Sequence, residues 1–387
     1  MDYFLTDEEQ RLKQVARDIA EKDLLPVRDK LDRESEFPHE IMKIIAEAGL
    51  PRVYVPSEYG GTNGSIFELC LITEELSRID GGTAVSYAAS ALGSLPIMIS
   101  GSEEQKKKYL PDIASGEKYC AFGLTESDAG SDAGRMRTVA VKKGDEYILT
   151  GSKIFCTNGQ VADTYTIFAK TDPEKGSRGI SAFIVEKGWE GFSFGKIEDK
   201  LGIRSSIQAE LIFEDCRVPA RNLIGREGAG FVVAMKTLDK SRPGIGAQAL
   251  GIAQGAFELA AEYAQKREQF GGPISALQAI QFILADMATQ IEAARGLVYQ
   301  TARMIDRGIR NVSKESAMCK LFASDVAMKV TVDAVQVFGG YGYMRDYPVE
   351  KYIRDAKITQ IYEGTNQVQR LVIATNLVRE LAIKGGK

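Results

Sequence analysis

The periodicity of this 387-residue chain predicts an α+β fold in three blocks. Helical spacing of apolar residues runs to about residue 120, short alternating runs bounded by turn residues follow, and long amphipathic stretches take over from about residue 230. A single histidine and the lack of any close cysteine pair then narrow the chemistry that such a fold can carry.

In the first block, Thr6-Asp7-Glu8-Glu9 has capping-box spacing and opens a helix with Leu12, Val15 and Ile19 on one face. Helical patterns recur over 41–48, 66–77 and 103–110, separated by Gly/Pro turns. The second block holds strand-like runs at 119–124, 146–150, 164–169, 179–185 and 209–213. No long helical crossover separates them, so an antiparallel sheet is expected. The third block predicts helices over 243–266, 276–304, 316–338 and 366–381, the makings of a four-helix bundle. Asn366 and Gln369 have capping-box spacing at the head of the last helix. The domains expected are an α-helical 1–120, a β-domain 121–229 and a helical bundle 230–387.

Apolar residues make up 44% of the chain, enough to fill two or three packed units. Charged residues are 26% and the net charge is −4, so there is no basic excess to draw nucleic acid or an anionic membrane face. No apolar run approaches the roughly 20 residues of a membrane span. The opening Met1-Asp2-Tyr3-Phe4-Leu5-Thr6-Asp7 is acidic where a targeting presequence is basic, and a cytoplasmic protein is expected. Cys70, Cys120, Cys156, Cys216 and Cys319 form no C-x-x-C pair, which argues against a disulfide framework and a thiolate zinc site. With His39 the only histidine, in a polar stretch at a helix entry, histidine triads and polyhistidine metal sites are strongly disfavoured. Proton chemistry then falls to a carboxylate, and a difficult electron step to an organic cofactor.

The pentapeptide Ile361-Tyr362-Glu363-Gly364-Thr365 places one carboxylate on a glycine-loosened turn between two helical segments, and Glu363 is the candidate base. Taken alone, a solvated loop glutamate is the commoner case. Two other segments carry chemistry. Phe122-Gly123-Leu124-Thr125 runs as a strand into Glu126–Asp132, a loop dense in hydroxyls and backbone donors that suits a heteroaromatic ring or a phosphate. Phe155-Cys156-Thr157-Asn158-Gly159 sets an aromatic and a hydroxyl before a turn. Two motifs fail: Gly244-Ile245-Gly246 with Gly251 follows Arg242-Pro243, read as a helix start, and so is helix packing by small residues rather than a dinucleotide fingerprint. Gly151-Ser152-Lys153 lacks the spacing of a phosphate-binding loop.

With Asp239-Lys240-Ser241-Arg242, Arg267–Phe270 and Gln336-Val337-Phe338-Gly339-Gly340, these segments stand in the order found in the acyl-CoA dehydrogenase family, which the chain resembles over essentially its whole length. The resemblance implies a helical N-terminal domain, a middle β-domain and a C-terminal four-helix bundle, with FAD between the last two. It places Phe122, Leu124, Thr125, Ser131, Phe155 and Thr157 around the flavin, with Ser131 also near the substrate's pantetheine arm. It assigns Arg267, Phe270 and Gln278 to the cofactor's pyrophosphate and adenine side. Gln336, Gly339 and Gly340 would reach the FAD of a neighbouring subunit, and Thr365 and Gln367 would touch FAD beside the base. Asp239, Arg242 and Gly364 are implied substrate contacts.

The reaction so implied is α,β-dehydrogenation of a short- to medium-chain, straight, branched or cyclic acyl-CoA. Glu363 takes the α-proton, its backbone N–H steadies the thioester oxygen, and the β-hydrogen leaves as hydride to flavin N5. Electrons would pass to an electron-transferring flavoprotein from a homotetramer built as a dimer of dimers. An enoyl-CoA reductase, an oxidase-type relative and an idle acyl-CoA or flavin-binding scaffold are the alternatives. Ser127 stands where many relatives have proline and Phe155 where several have tryptophan. Ala91, Leu92, Leu95 and Ile99 offer no arginine for a second carboxylate, which disfavours a dicarboxylyl-CoA.

Overall fold

The computed structural model describes residues 3–385, so Met1 and Asp2 of the acidic opening lie outside the described residues. Helices α1 (Asp7–Ile19), α2 (Arg28–Glu34), α3 (His39–Glu47), α4 (Ile66–Ser77), α5 (Gly81–Ser100) and α6 (Glu103–Ser115) form the N-terminal part. The capping box at Thr6 is present: Glu9 N–H donates to Thr6 Oγ1 at 3.2 Å and Thr6 N–H to the Glu9 carboxylate at 2.8 Å. Ser65, Asp80 and Ser102 cap α4, α5 and α6 in the same way, each accepting from the third residue inward. Helix α5 is by length and composition apolar enough to cross a membrane, yet 78% of its apolar window is buried inside the protein, as a core helix requires.

The strands β1 (Cys120–Gly123), β2 (Val139–Lys143), β3 (Glu146–Thr157), β4 (Thr164–Lys170), β5 (Ile180–Glu186), β6 (Phe192–Ile197), β7 (Gln208–Pro219) and β8 (Leu223–Ile224) build one sheet in the order β6-β7-β3-β2-β4-β5-β8, with β1 beside β4. Most pairs are antiparallel, as expected, but β1 runs parallel to β4 and β2 meets β4 in a single parallel pair. The sheet is therefore mixed. The β2–β3 hairpin serves as the crossover from β1 to β4, a role that the search for helical crossovers missed.

The C-terminal part is α7 (Gly230–Lys266), a short hairpin of β9 (Glu268–Gln269) and β10 (Gly272–Pro273), then α8 (Gln278–Asp306), α9 (Ser313–Phe338), α10 (Val349–Thr359) and α11 (Asn366–Gly385). The helix expected to start at Pro243 starts at Gly230 and passes through the proline. Proline cannot donate to the carbonyl four residues back, which is that of Asp239. Ser316 on α9 supplies the missing bond, its hydroxyl donating to Asp239 O at 2.6 Å. Gly251 lets α7 close on α4, since a Cβ there would lie 2.2 Å from the Glu74 carbonyl oxygen. Gly246, where a Cβ would lie 2.8 Å from Val298 Cγ2, is likewise a packing residue as the sequence indicated, whereas a Cβ at Gly244 would meet nothing within 4 Å and that glycine lines a cavity instead.

The head of α11 differs from expectation. Thr365, not Asn366, is the cap, its hydroxyl accepting from Val368 N–H at 3.2 Å. The Asn366 amide is engaged elsewhere, with Lys320, Ser324 and Asp325 of α9, and so cannot turn to the helix backbone.

Candidate active site

A cavity of about 420 Å³ opens where the three parts of the chain meet. Leu69, Val85, Ala88, Leu92 and Leu95 of α4 and α5 form an apolar wall; β1, β3 and the loop after β1 form a second; α7 and the 361–365 turn close it. Phe122, Leu124, Thr125, Ser131, Phe155, Thr157, Arg242, Glu363 and Gly364 all line it. Ala91 and Ile99 do not.

Glu363 sits in the turn between α10 and α11 with φ 51°, a left-handed conformation rare outside glycine, and Gly364 follows at φ 92°. Gln369 Nε2 holds this backbone by donating to Glu363 O at 3.1 Å and to Gly364 O at 2.8 Å. Lys320 Nζ donates to Gly364 O at 2.9 Å. Among the described residues, the Glu363 N–H donates to no acceptor in the chain. The carboxylate accepts from the Ser241 hydroxyl at 2.5 Å. Burial raises the Glu363 pKa above the ordinary carboxylate value, against the opposing pull of Ser241, Arg242 and Lys320. Strain and raised proton affinity at one residue facing a cavity make Glu363 a candidate for proton transfer.

Arg242 pairs with Asp239 at 2.7 Å and is only 4% exposed, so the pair is no surface ornament. Asp239 itself, also bonded by the Ser313 hydroxyl, stands outside the cavity lining.

The β-side wall is underpinned by Glu126 and Lys153, which sequence reasoning left without a role. Glu126 accepts from Lys153 Nζ at 2.6 Å, from Thr138 N–H at 3.0 Å and from the Thr138 hydroxyl at 2.6 Å. Lys153 is fully buried and also reaches Leu124 O at 3.3 Å. Burial lowers the Lys153 pKa to about 8 against the upward pull of Glu126; Glu126 is itself held below its ordinary value, since Lys153 and these hydrogen bonds outweigh its burial. Together they tie the end of β1 to β3. A bulge between Lys153 and Cys156 then turns Phe155 outward, at φ 57° and 59% exposed. A lysine inside a strand pattern was the available signal for this pair.

The remaining predicted contacts are gathered elsewhere. Arg267, Gly339 and Gly340 line a separate cavity of about 540 Å³ with Tyr263, Tyr341 and Met344. Gly339 ends α9 at φ 62°, ψ −137°, a backbone that glycine alone adopts freely. Phe270 is 93% exposed, and Gln278, Gln336 and Gln367 are exposed on their helices. None of these four, nor the cap residue Thr365, lines the Glu363 cavity.

The residues fit a flavin. A strained, outward-facing Phe155 and Leu124 give the cavity an apolar face suited to a flat ring, and Thr125, Ser131 and Thr157 line the same cavity with residues that carry hydroxyls. Among the described residues no cluster of three or more His, Cys, Asp or Glu side chains could hold a metal ion.

Three family descriptions match the chain: "Acyl-CoA dehydrogenase, N-terminal domain" over residues 6–117, "middle domain" over 121–216 and "C-terminal domain" over 228–378. A short-chain-specific acyl-CoA dehydrogenase of Clostridium acetobutylicum is 50% identical over 98% of this chain and 100% of its own. An acryloyl-CoA reductase (NADH) of Anaerotignum propionicum is 49% identical over 98% of this chain and 96% of its own. Among solved structures, butyryl-CoA dehydrogenase of Megasphaera elsdenii superposes with TM-score 0.95 at 47% identity, covering 98% of this chain and 100% of that one. A chain from a study of the electron-transferring flavoprotein of Acidaminococcus fermentans gives TM-score 0.96 at 54% identity, covering 98% and 100%. An acyl-CoA dehydrogenase of Bacillus anthracis complexed with FAD gives 0.92 at 36% identity, covering 99% and 68%.

Proposed function

Since the chain belongs to the acyl-CoA dehydrogenase family of FAD-dependent oxidoreductases, we propose that it removes the α and β hydrogens of a short- to medium-chain acyl-CoA, with Glu363 as the base. The observation that carries this reading is the Glu363 turn: a carboxylate of raised proton affinity and an unpartnered N–H on one strained residue, facing an apolar cavity. The N–H can steady the thioester oxygen as charge develops there, while the carboxylate accepts the α-proton. Bound FAD would supply the acceptor for the β-hydride. Phe122, Leu124, Thr125, Ser131, Phe155 and Thr157 would hold its ring, and Arg242 with Asp239 would orient the CoA moiety. Anaerobic flavin bleaching over an acyl-CoA panel tests the reading; a folded, flavin-loaded protein that no acyl-CoA bleaches would overturn it.

A second reading is favoured by the 49% identity to an acryloyl-CoA reductase: the same site run in reverse on an enoyl-CoA. Reoxidation of the reduced protein by a 2-enoyl-CoA faster than by an electron-transferring flavoprotein would select it. That flavoprotein is the proposed partner, the cytoplasm the proposed compartment, and the division at about 120 and 230 the proposed domain plan.

The proposed homotetramer, in which Arg267 binds FAD phosphate together with Gln336, Gly339 and Gly340 of a neighbour, rests on the family resemblance; within one chain Arg267, Gly339 and Gly340 already share the second cavity. Arg267→Ala is expected to lower both flavin retention and tetramer content, a charge-assisted phosphate contact being worth about 1.5–3 kcal/mol. Flavin absorbance and sedimentation check this, and a monomer that keeps its full flavin complement rules it out. Leu95 lines the cavity, so Leu95→Ala should shift preference toward longer acyl chains, each methylene contributing about 1–3 kcal/mol. An unchanged chain-length profile would place the floor elsewhere.

A further inference from the structure

Glu363 is a strained residue, and something must keep it so. Both carbonyls of the Glu363-Gly364 segment accept from Gln369 Nε2, and Lys320 of α9 donates to the second. Its ammonium, wholly buried, donates to Gly364 O at 2.9 Å and to Asn366 Oδ1 at 2.9 Å. Ser324 and Asp325, one turn along α9, grip the same Asn366 amide, Ser324 Oγ lying 2.9 Å and Asp325 Oδ1 2.8 Å from its nitrogen. Lys320 thus reaches across the turn from behind and fixes both its exit and the head of α11.

We propose that Lys320 is a positioning residue for the base: it locks the left-handed Glu363 turn through the Gly364 carbonyl and holds a buried positive charge behind the carboxylate. The proposal rests on Glu363 being the base. The charged groups acting on Lys320 are Glu363 on the turn, Arg242 on α7 and Asp325 on its own helix. Burial brings its pKa down to about 7, with Glu363 pulling it back up. Base and lysine therefore titrate as a linked pair: the lysine is partly charged at neutral pH and eases ionisation of Glu363, then loses this effect as pH rises.

The test is the pH dependence of anaerobic flavin reduction by butyryl-CoA in flavin-loaded wild type, Lys320→Met, Lys320→Gln, Lys320→Arg and Glu363→Gln, with thermal melts run alongside. In the neutral variants the acid limb, where protonation of the base quenches reduction, should move up by roughly one pH unit, because an opposite charge nearby has been removed. Lys320→Gln should keep more rate than Lys320→Met, since it can still donate to Gly364 O. Lys320→Arg should keep the acid limb in place and remove the inflection near the lysine's own pKa. Acid limbs in Lys320→Met and Lys320→Gln that coincide with wild type would overturn the proposal. If neither neutral variant folds, Lys320→Arg decides, and a profile that keeps the wild-type inflection overturns it. Rapid reduction of Glu363→Gln would instead overturn the assignment of the base, a different outcome.

Discussion

Glu363→Gln is expected to slow flavin reduction by acyl-CoA by about four orders of magnitude, the upper end of what a general base supplies. Glutamine keeps the size of the side chain and can still accept from Ser241, so the turn and the cavity stay as they are. It cannot accept the α-proton. With His39 on the N-terminal α3, the histidine-poor chain has no substitute of that type. Stability should not fall. The pKa of the folded-state carboxyl is raised, so its charged form is disfavoured by folding at neutral pH, and a neutral amide removes that cost. The melting temperature should match or exceed wild type while activity collapses, the trade expected at a strained active site. Stopped-flow reduction and a melt on the same sample decide it: near wild-type reduction would move the base to another acidic residue.

The three-block architecture was legible because the period of the apolar pattern changes with the element, and Glu363 because few turns in a histidine-poor chain place a carboxylate between two helices. What stayed hidden was set by contacts distant in sequence. Lys320 reads as any other lysine until the fold buries it, and Lys153, though set in a strand pattern, shows no partner in the sequence; only the fold brings Gly364 O and Glu126 to them. The helix through Pro243 is possible because Ser316, on another helix, satisfies the carbonyl that proline leaves free. A local rule correctly places a break there, and tertiary structure overrides it. The same holds at Thr365, where competition for Asn366 decides which residue caps the helix. The direction of β1 against β4 likewise depends on a pairing that no local pattern encodes.

Lys351→Met should be the most destabilising single change outside the site. Lys351 sits between Asp80, at 2.5 Å, and Asp355, and all three are buried. Asp80 caps α5 by accepting from Thr83 N–H at 2.7 Å, and the Ser205 hydroxyl bonds it as well. Asp355 accepts from Ile203 N–H at 2.6 Å and so holds a β-branched residue at φ 46°. One lysine thus joins the helical N-terminal part, the loop after β6 and α10, the helix that leads into the Glu363 turn. Without it two buried carboxylates lose their cation, which costs about 3–5 kcal/mol. Burial pushes Asp80 up, but Lys351 and the hydrogen bonds outweigh it and bring its pKa down to about 2 from 3.8. Its stabilisation is therefore present above its unfolded pKa and lost as pH falls toward 2. Lys351 has its pKa raised and so contributes until pH climbs past its unfolded value of 10.5. The gap between wild type and variant should accordingly be widest between these limits and narrow on acidification, as the stranded carboxylates protonate. Combining Lys351→Met with Asp80→Asn and Asp355→Asn should recover most of the loss, because asparagine still caps α5 and still accepts from Ile203. A Lys351→Met melt equal to wild type at neutral pH would show that the network is not what clamps α10 to the other two parts of the chain.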